Sequence, residues 1–165
     1  MIPTQQKGRF RVTHKDGIVH LFEDKLEWMN LKDGEKRTHQ KAIDACSGDV
    51  VVGGLGLGYV VEQLNVKPNV RSITVVEIAP EVIELVWPHI QHDKAKVVCD
   101  DIFHYLRKGR KFDYGYFDVH KDLSQEQNET VVKPLRKLAE QYIKPDHIFQ
   151  WRENDICKQV QSSTM

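Results

Sequence analysis

Apolar and polar positions follow two different rhythms along this chain. In the first thirty-odd residues, Phe10-Arg11-Val12 alternates, Asp16-Gly17 offers a two-residue hairpin turn, and 18–22 is rich in strand formers. A further short strand at 26–28 precedes a second Asp-Gly at 33–34, so residues 1–34 read as a small N-terminal β-hairpin appendage. Residues 38–46 then read as a short helix closed by Ser47-Gly48, with Thr38 as its cap.

From Asp49 onward, solid apolar runs alternate with stretches of helical period. The run 49–54 is uninterruptedly apolar after Asp49, as a strand buried on both faces requires. A helix over 57–64, a strand over 72–78, and a helix opened by Pro80 and stopped near Pro88 follow. Then come a strand at 95–99, a short helix at 102–106 and a strand at 112–119. Ser124, with Gln127 three places on, has capping-box spacing and starts a helix to about residue 142, broken at Pro134. A fifth strand over 147–151 and a last short helix from Asn154 complete the pattern. Five strands separated by helices predict an α/β fold: a doubly wound, mostly parallel five-stranded sheet in the order 3-2-1-4-5. Residues 35–165 form this Rossmann-like unit, with a ligand crevice beside its first strand.

Composition narrows the function classes. The 165 residues suffice for one domain, and 40% of them are apolar. Lys plus Arg number 24 and Asp plus Glu number 24, so no basic excess favours nucleic acid or an anionic membrane. Cys46, Cys99 and Cys157 are widely spaced, with no CxxC pair, which supports neither a zinc site nor a disulfide scaffold. Cys99 lies in an apolar run and reads as a small buried hydrophobe. No secretory leader and no apolar run of spanning length is present, so the expectation is a soluble cytoplasmic protein.

The strongest local signal is Val50-Val51-Val52-Gly53-Gly54-Leu55-Gly56-Leu57-Gly58, a buried strand entering a glycine loop and then a helix. Glycines there let backbone pass close to a ligand and adopt positive φ, and the helix start offers free N–H groups. A tight turn packed for its own sake is the plainer alternative. The spacing is GxGxG, with Tyr59 where a dinucleotide fingerprint would place its third glycine. The second signal is Glu77, at the end of an apolar strand and 23 residues after Gly54. A carboxylate in that place reaches a ribose across the crevice, and alone it would read as a solvated strand-end charge.

Four segments in order, the GGLGLG loop, Val76-Glu77-Ile78 with Pro80-Glu81-Val82-Ile83, Val97-Val98-Cys99-Asp100-Asp101, and Phe112-Asp113 leading to Phe117-Asp118, resemble the Rossmann-like S-adenosylmethionine-dependent methyltransferases. The spermidine-synthase-like branch is the most similar part of that family, and the likeness covers a little under half of the chain. The resemblance implies S-adenosylmethionine as cofactor. It places Gly54, Leu55, Gly56 and Gly58 under the methionine part, Glu77 on the ribose and Ile78 against the adenine. Asp101 would accept from the adenine amino group with Ile102 on the ring, and Asp118 would lie nearest the reactive sulfonium. Asp101 also fits a plain N-cap for the helix at 102–106.

The departures are as informative. Ala79 stands where the family carries a second acidic residue, and Asp118-Val119-His120-Lys121-Asp122 replaces the Asp-x-x-Asp-Pro of aminopropyltransferases. No Asn/Asp-Pro-Pro-Tyr/Phe motif is present. Five strands also leave open a sheet edge that seven would cover, where the N-terminal hairpins or a second copy of the chain would fit. Transfer from a sulfonium needs alignment, exclusion of water and, for a protonated acceptor, a base. Asp118 is the candidate base, with His120 beside it, although His120 by itself reads as a surface-loop residue. Glu35 and Thr38 pass near the crevice mouth, and Trp28 and Trp151 are candidate floor residues or core. The expectation is a methyltransferase acting on a small-molecule acceptor; the competing reading is a non-catalytic or regulatory module. A nicotinamide oxidoreductase is disfavoured by Tyr59, and a nucleic-acid methyltransferase by the charge balance.

Overall fold

A computed structural model describes residues 1–155 of the chain. Strands β1 (Gln5–Lys7), β2 (Phe10–Lys15), β3 (Ile18–Glu23) and β4 (Leu26–Asn30) form an antiparallel sheet in sequence order. Asp16 and Gly17 both have positive φ, 51° and 76°, as the two-residue hairpin turn demands. Two elements have no clear signal in the sequence: β1, and a second turn in which Asp24 takes φ 51°. Val12 pairs with Leu21 and Leu21 with Met29, so all three side chains point to one buried face.

The second Asp-Gly is not a turn. Helix α1 runs Asp33–Ala45, with Asp33 and Glu35 in its first turn, where negative charge suits the positive end of the helix. Thr38 therefore lies inside the helix and caps nothing; Lys32 occupies the N-cap.

The rest alternates as the apolar runs require: β5 (Gly48–Gly53), α2 (Tyr59–Asn65), β6 (Val70–Glu77), α3 (Pro80–Val86), β7 (Ala95–Cys99), α4 (Ile102–Leu106), β8 (Tyr114–Phe117) and, after helical turns, β9 (Ile148–Gln150). All five strands are parallel, in the order β7-β6-β5-β8-β9, which is the predicted 3-2-1-4-5. The period of two sorts their side chains between two cores. Val50, Val52, Ile73, Val75 and Tyr116 face α1, α2, α3 and the N-terminal sheet. Val51, Val76 and Phe117 face the opposite layer. That layer contains α4 and α6 (Lys133–Ala139). Ile2, Val12, Leu21 and Met29 belong to the first of these cores, so the N-terminal sheet and the parallel sheet bury one continuous apolar mass.

Three local readings change. The helix after Ser124 is interrupted before Pro134 rather than at it. One turn, α5 (Gln125–Gln127), passes into a π-helical turn over Asn128–Val132, and Pro134 then sits in the first turn of α6, where no N–H is needed. Cys99 is exposed, because β7 is an edge strand and little covers its last residue. Residues 153–155 are helical, and the rest of the segment expected as a last helix, with Cys157, lies outside the described residues. Among the described residues no helix is long and apolar enough to cross a membrane.

Candidate functional site

The glycine loop leaves the end of β5 with Gly54, Gly56 and Gly58 all at positive φ (92°, 54° and 78°). Gly54 is the position where glycine is obligatory. A Cβ there would stand 2.5 Å from the carbonyl oxygen of Asp118, so the loop crosses beneath the end of β8 only without a side chain. Gly58 stands at the N-cap of α2, pressed on Ile90, and is not among the residues lining the cleft described below.

Glu77 ties this loop to the next. Its Oε2 accepts the Leu55 N–H at 2.8 Å and its Oε1 the Ala79 N–H at 3.0 Å. Burial raises its pKa, and backbone N–H groups of Leu55, Ala79 and Ile78 pull the other way. The expected free N–H groups are largely engaged. Gly54 donates to Val76, Leu57 to the Met29 Sδ at 3.3 Å, and Gly58 to Leu55.

A cleft of about 530 Å³ opens at this end of the sheet. Gly54, Leu55, Gly56, Glu77, Ile78, Asp101, Ile102 and Asp118, expected from scattered segments, all line it. Ile78 is 65% exposed, a large apolar side chain held over the opening. Asp101 caps α4, accepting the Phe103 and His104 N–H groups, both through Oδ1. The opposite wall is formed by Phe10, Leu21, Trp28 and Met29 of the N-terminal sheet. Only Trp28 among these stands out in the sequence; a wall built by packing across a distance leaves no periodic signature.

Beyond the cleft lies a second, polar pocket of about 180 Å³, and Asp118, Trp28 and Met29 border both spaces. Burial, with the nearby charges of Glu35 and Glu77, pushes the Asp118 carboxyl up to about 7. Glu35 is raised by burial and by Glu27, against the opposing charge of Arg152. His120 borders this pocket too, and it is not a surface-loop residue: it is 2% exposed, beside the Trp151 ring at 5.4 Å. Neither of its ring nitrogens has a hydrogen-bond partner among the described residues. Burial lowers its pKa, against Asp122 and the Trp151 backbone. Thr38 donates to the Glu35 carbonyl at 2.6 Å and accepts from the Trp151 indole at 2.9 Å, apart from both spaces. A buried pair unforeseen in the sequence, His39 and Tyr116, lines the cleft with a hydrogen bond of 2.5 Å, and burial pushes His39 down to about 4.

Solved structures share this architecture. Spermidine synthase from Thermotoga maritima matches with a TM-score of 0.63 at 17% identity, over 87% of this chain and 52% of its own. A spermidine synthase in complex with the transition-state analogue AdoDATO matches at 0.67 and 18%, over 87% and 54%. A candidate methyltransferase, SMU.776, complexed with SAH, matches at 0.55 and 14%, over 85% and 40%. The chain has the Rossmann-like fold that these structures share. It spans about half the length of the structures it matches. No protein-family model matches the chain, and no curated protein does. On this fold the cleft lies outside the carboxyl ends of the parallel strands, where such sheets bind their ligands.

The residues present fit the adenosine cofactor that the resemblance implies. The cleft has the size of a cofactor site. Glu77 keeps lone pairs beyond its two backbone bonds, and Asp101 Oδ2 has no partner among the described residues.

Proposed function

We propose that the protein binds S-adenosylmethionine and transfers its methyl group to a small-molecule acceptor. The observation that carries this reading is the convergence on one cleft of the glycine loop, Glu77, Ile78, Asp101 and Asp118. Glu77 would hold the ribose hydroxyls, Ile78 and Ile102 would sandwich the adenine, and Asp101 would accept from its amino group. Gly54, Leu55 and Gly56 would pass under the methionine part. The bound cofactor supplies an activated methyl group, so the protein has only to align the acceptor, exclude water and take a proton. Asp118 is suited to the proton transfer, because a carboxyl near 7 accepts a proton from an acceptor and releases it again at neutral pH. The wall of Phe10, Leu21, Trp28 and Met29 excludes water from the other side.

Calorimetric titration tests the reading. S-adenosylmethionine is expected to bind with a micromolar dissociation constant while NADH gives no heat. Binding of neither, or of NADH alone, overturns it.

A further inference from the structure

The charges of this chain sum to zero, yet they are sorted in space. Six acids, Glu23, Glu77, Glu81, Asp100, Asp101 and Asp118, line the cleft, and among the described residues no lysine or arginine does. His39 also lines it, fully buried and with its Nε2 unpartnered among the described residues. Burial drives the pKa of that ring down to about 4, so at neutral pH it brings no positive charge. Most of the acids are answered from within the protein. Asp100 has Lys108 at 3.0 Å and Glu23 has Arg9 at 3.4 Å. Glu77 holds two backbone N–H groups, and Asp101 caps α4. Asp118 is not answered: among the described residues its carboxyl has no hydrogen bond and no ion pair. Burial acts on it first, and then charges of its own sign, from Glu35 of α1 and Glu77 of β6. Lys121 borders the polar pocket rather than the cleft, and Arg152 acts on Glu35.

From this arrangement we propose that Asp118 reads the charge state of the cofactor, so that the cleft retains the sulfonium methyl donor and lets go of its neutral thioether product. The inference rests on the cofactor reading of the cleft, which sets the sulfur beside Asp118. A cleft lined by one sign of charge attracts the other. A carboxylate withdrawn from water gains more from a cation than an exposed one does, because the effective dielectric is lower. The positive sulfur also offsets the repulsion that Glu35 and Glu77 impose on an ionised Asp118. In methyl transfer the bond between sulfur and the methyl carbon breaks with both electrons left on sulfur, and a lone pair of the acceptor makes the new bond. The charge leaves the sulfur in that step, and the attraction to Asp118 ends with it. The methionine carboxylate is common to donor and product and meets no lining cation in either state, so it does not tell them apart. Release of the product is thus driven by the charge that the reaction removes.

The test is calorimetric titration of the whole chain, slightly above neutral pH, with S-adenosylmethionine and with S-adenosylhomocysteine. The two ligands differ by one methyl group and one positive charge. S-adenosylmethionine is expected to bind at least tenfold more tightly. Asp118→Asn keeps the shape of the side chain and removes its charge, which separates the two differences. The variant is expected to bind S-adenosylmethionine at least fivefold more weakly and S-adenosylhomocysteine within twofold of the parent. If the variant does not fold, ionic strength decides on the parent chain. Raising salt from about 0.05 M to about 0.5 M should weaken S-adenosylmethionine at least threefold and S-adenosylhomocysteine less than twofold, and equal losses overturn the inference. Equal affinities, tighter binding of S-adenosylhomocysteine, or a full gap kept in Asp118→Asn also overturns it and leaves the cofactor reading standing. Binding of neither ligand overturns both.

Discussion

The two ends of the site are built on opposite terms. On the β5–β6 side the key polar groups are already bonded to protein: both Glu77 oxygens hold backbone N–H groups, and Leu57 and Gly58 donate to Met29 and Leu55. On the β8 side the polar groups are left short, with Asp118 and Glu35 half-buried and His120 fully buried. Asp118 is driven toward its neutral form, Glu35 makes no close ion pair, and His120 has two idle nitrogens among the described residues. The first arrangement is a finished cradle, stable without its ligand. The second stores unfavourable desolvation that a bound donor relieves. Substitutions should therefore cost stability on one side and recover it on the other.

The largest effect belongs to the cradle. Gly54→Val combines positive φ with a Cβ placed against backbone at Asp118, and neither atom can give way. We expect a loss of roughly 3 kcal/mol or more in denaturant unfolding, together with loss of cofactor binding. Gly56→Ala is the control. Its Cβ meets the Met29 sulfur, a side-chain atom that can shift at the expense of its Leu57 contact, so the cost should be smaller, about 1–2 kcal/mol from φ with a small addition for that shift. Equal costs at the two glycines would remove the distinction between a rigid crossing and an adjustable one.

Next comes Glu77→Ala, which strands the Leu55 and Ala79 N–H groups in a buried loop. The expected destabilisation is about 2–3 kcal/mol. S-adenosylhomocysteine affinity should fall at least tenfold, read by calorimetry on the folded fraction. A variant that unfolds like the parent would show that Glu77 is not the tie between the two loops.

On the other side Asp118→Asn should do the reverse. A carboxyl whose folded pKa is raised to about 7 favours the fold while protonated, and that contribution fades as pH climbs from about 4 through 7. The parent should thus lose stability relative to Asp118→Asn across this interval, by an amount on the order of a few kcal/mol. Comparing parent and variant cancels the opposing contributions of His39 and His120, while Glu35 and Glu77, whose charges act on Asp118, belong to the same coupled response. Turnover should drop in the variant far more than cofactor affinity. A flat stability difference between pH 4 and 8 would mean that Asp118 is not held in the strained state.

The finished half is legible in the sequence and the unfinished half is not. The uninterrupted Val50-Val51-Val52 run can only be a strand between two cores, and a glycine loop followed by Glu77 at a strand end has few other uses. Those signals are local, so the chain order carries them. His120 shows no such signal: its burial comes from Trp151, thirty-one positions later, and from the pocket it borders. The wall from β2–β4 is hidden for the same reason, since Met29 reaches Leu57 across 28 positions. Cys99 misleads in the opposite direction, because an apolar run does not say which strand will stand at the edge.

The smallest expected change, at His120, tests the asymmetry most directly. Replacing a hydrogen-bonded buried histidine by phenylalanine ordinarily costs about 1–3 kcal/mol, since its partner is orphaned. Here neither ring nitrogen holds a hydrogen bond of good geometry among the described residues, and the Trp151 backbone opposes the burial of the ring only weakly. His120→Phe should leave the unfolding free energy at neutral pH unchanged or raise it by up to about 1 kcal/mol. It should also remove an acid weakness. A histidine whose folded pKa lies below its ordinary value supports the fold above about 6.5 and withdraws that support as pH falls below it. The variant should therefore outlast the parent most clearly on the acid side, the mirror image of Asp118→Asn. A loss of about 2 kcal/mol at neutral pH would reveal a bonded His120 and make the two ends of the site alike.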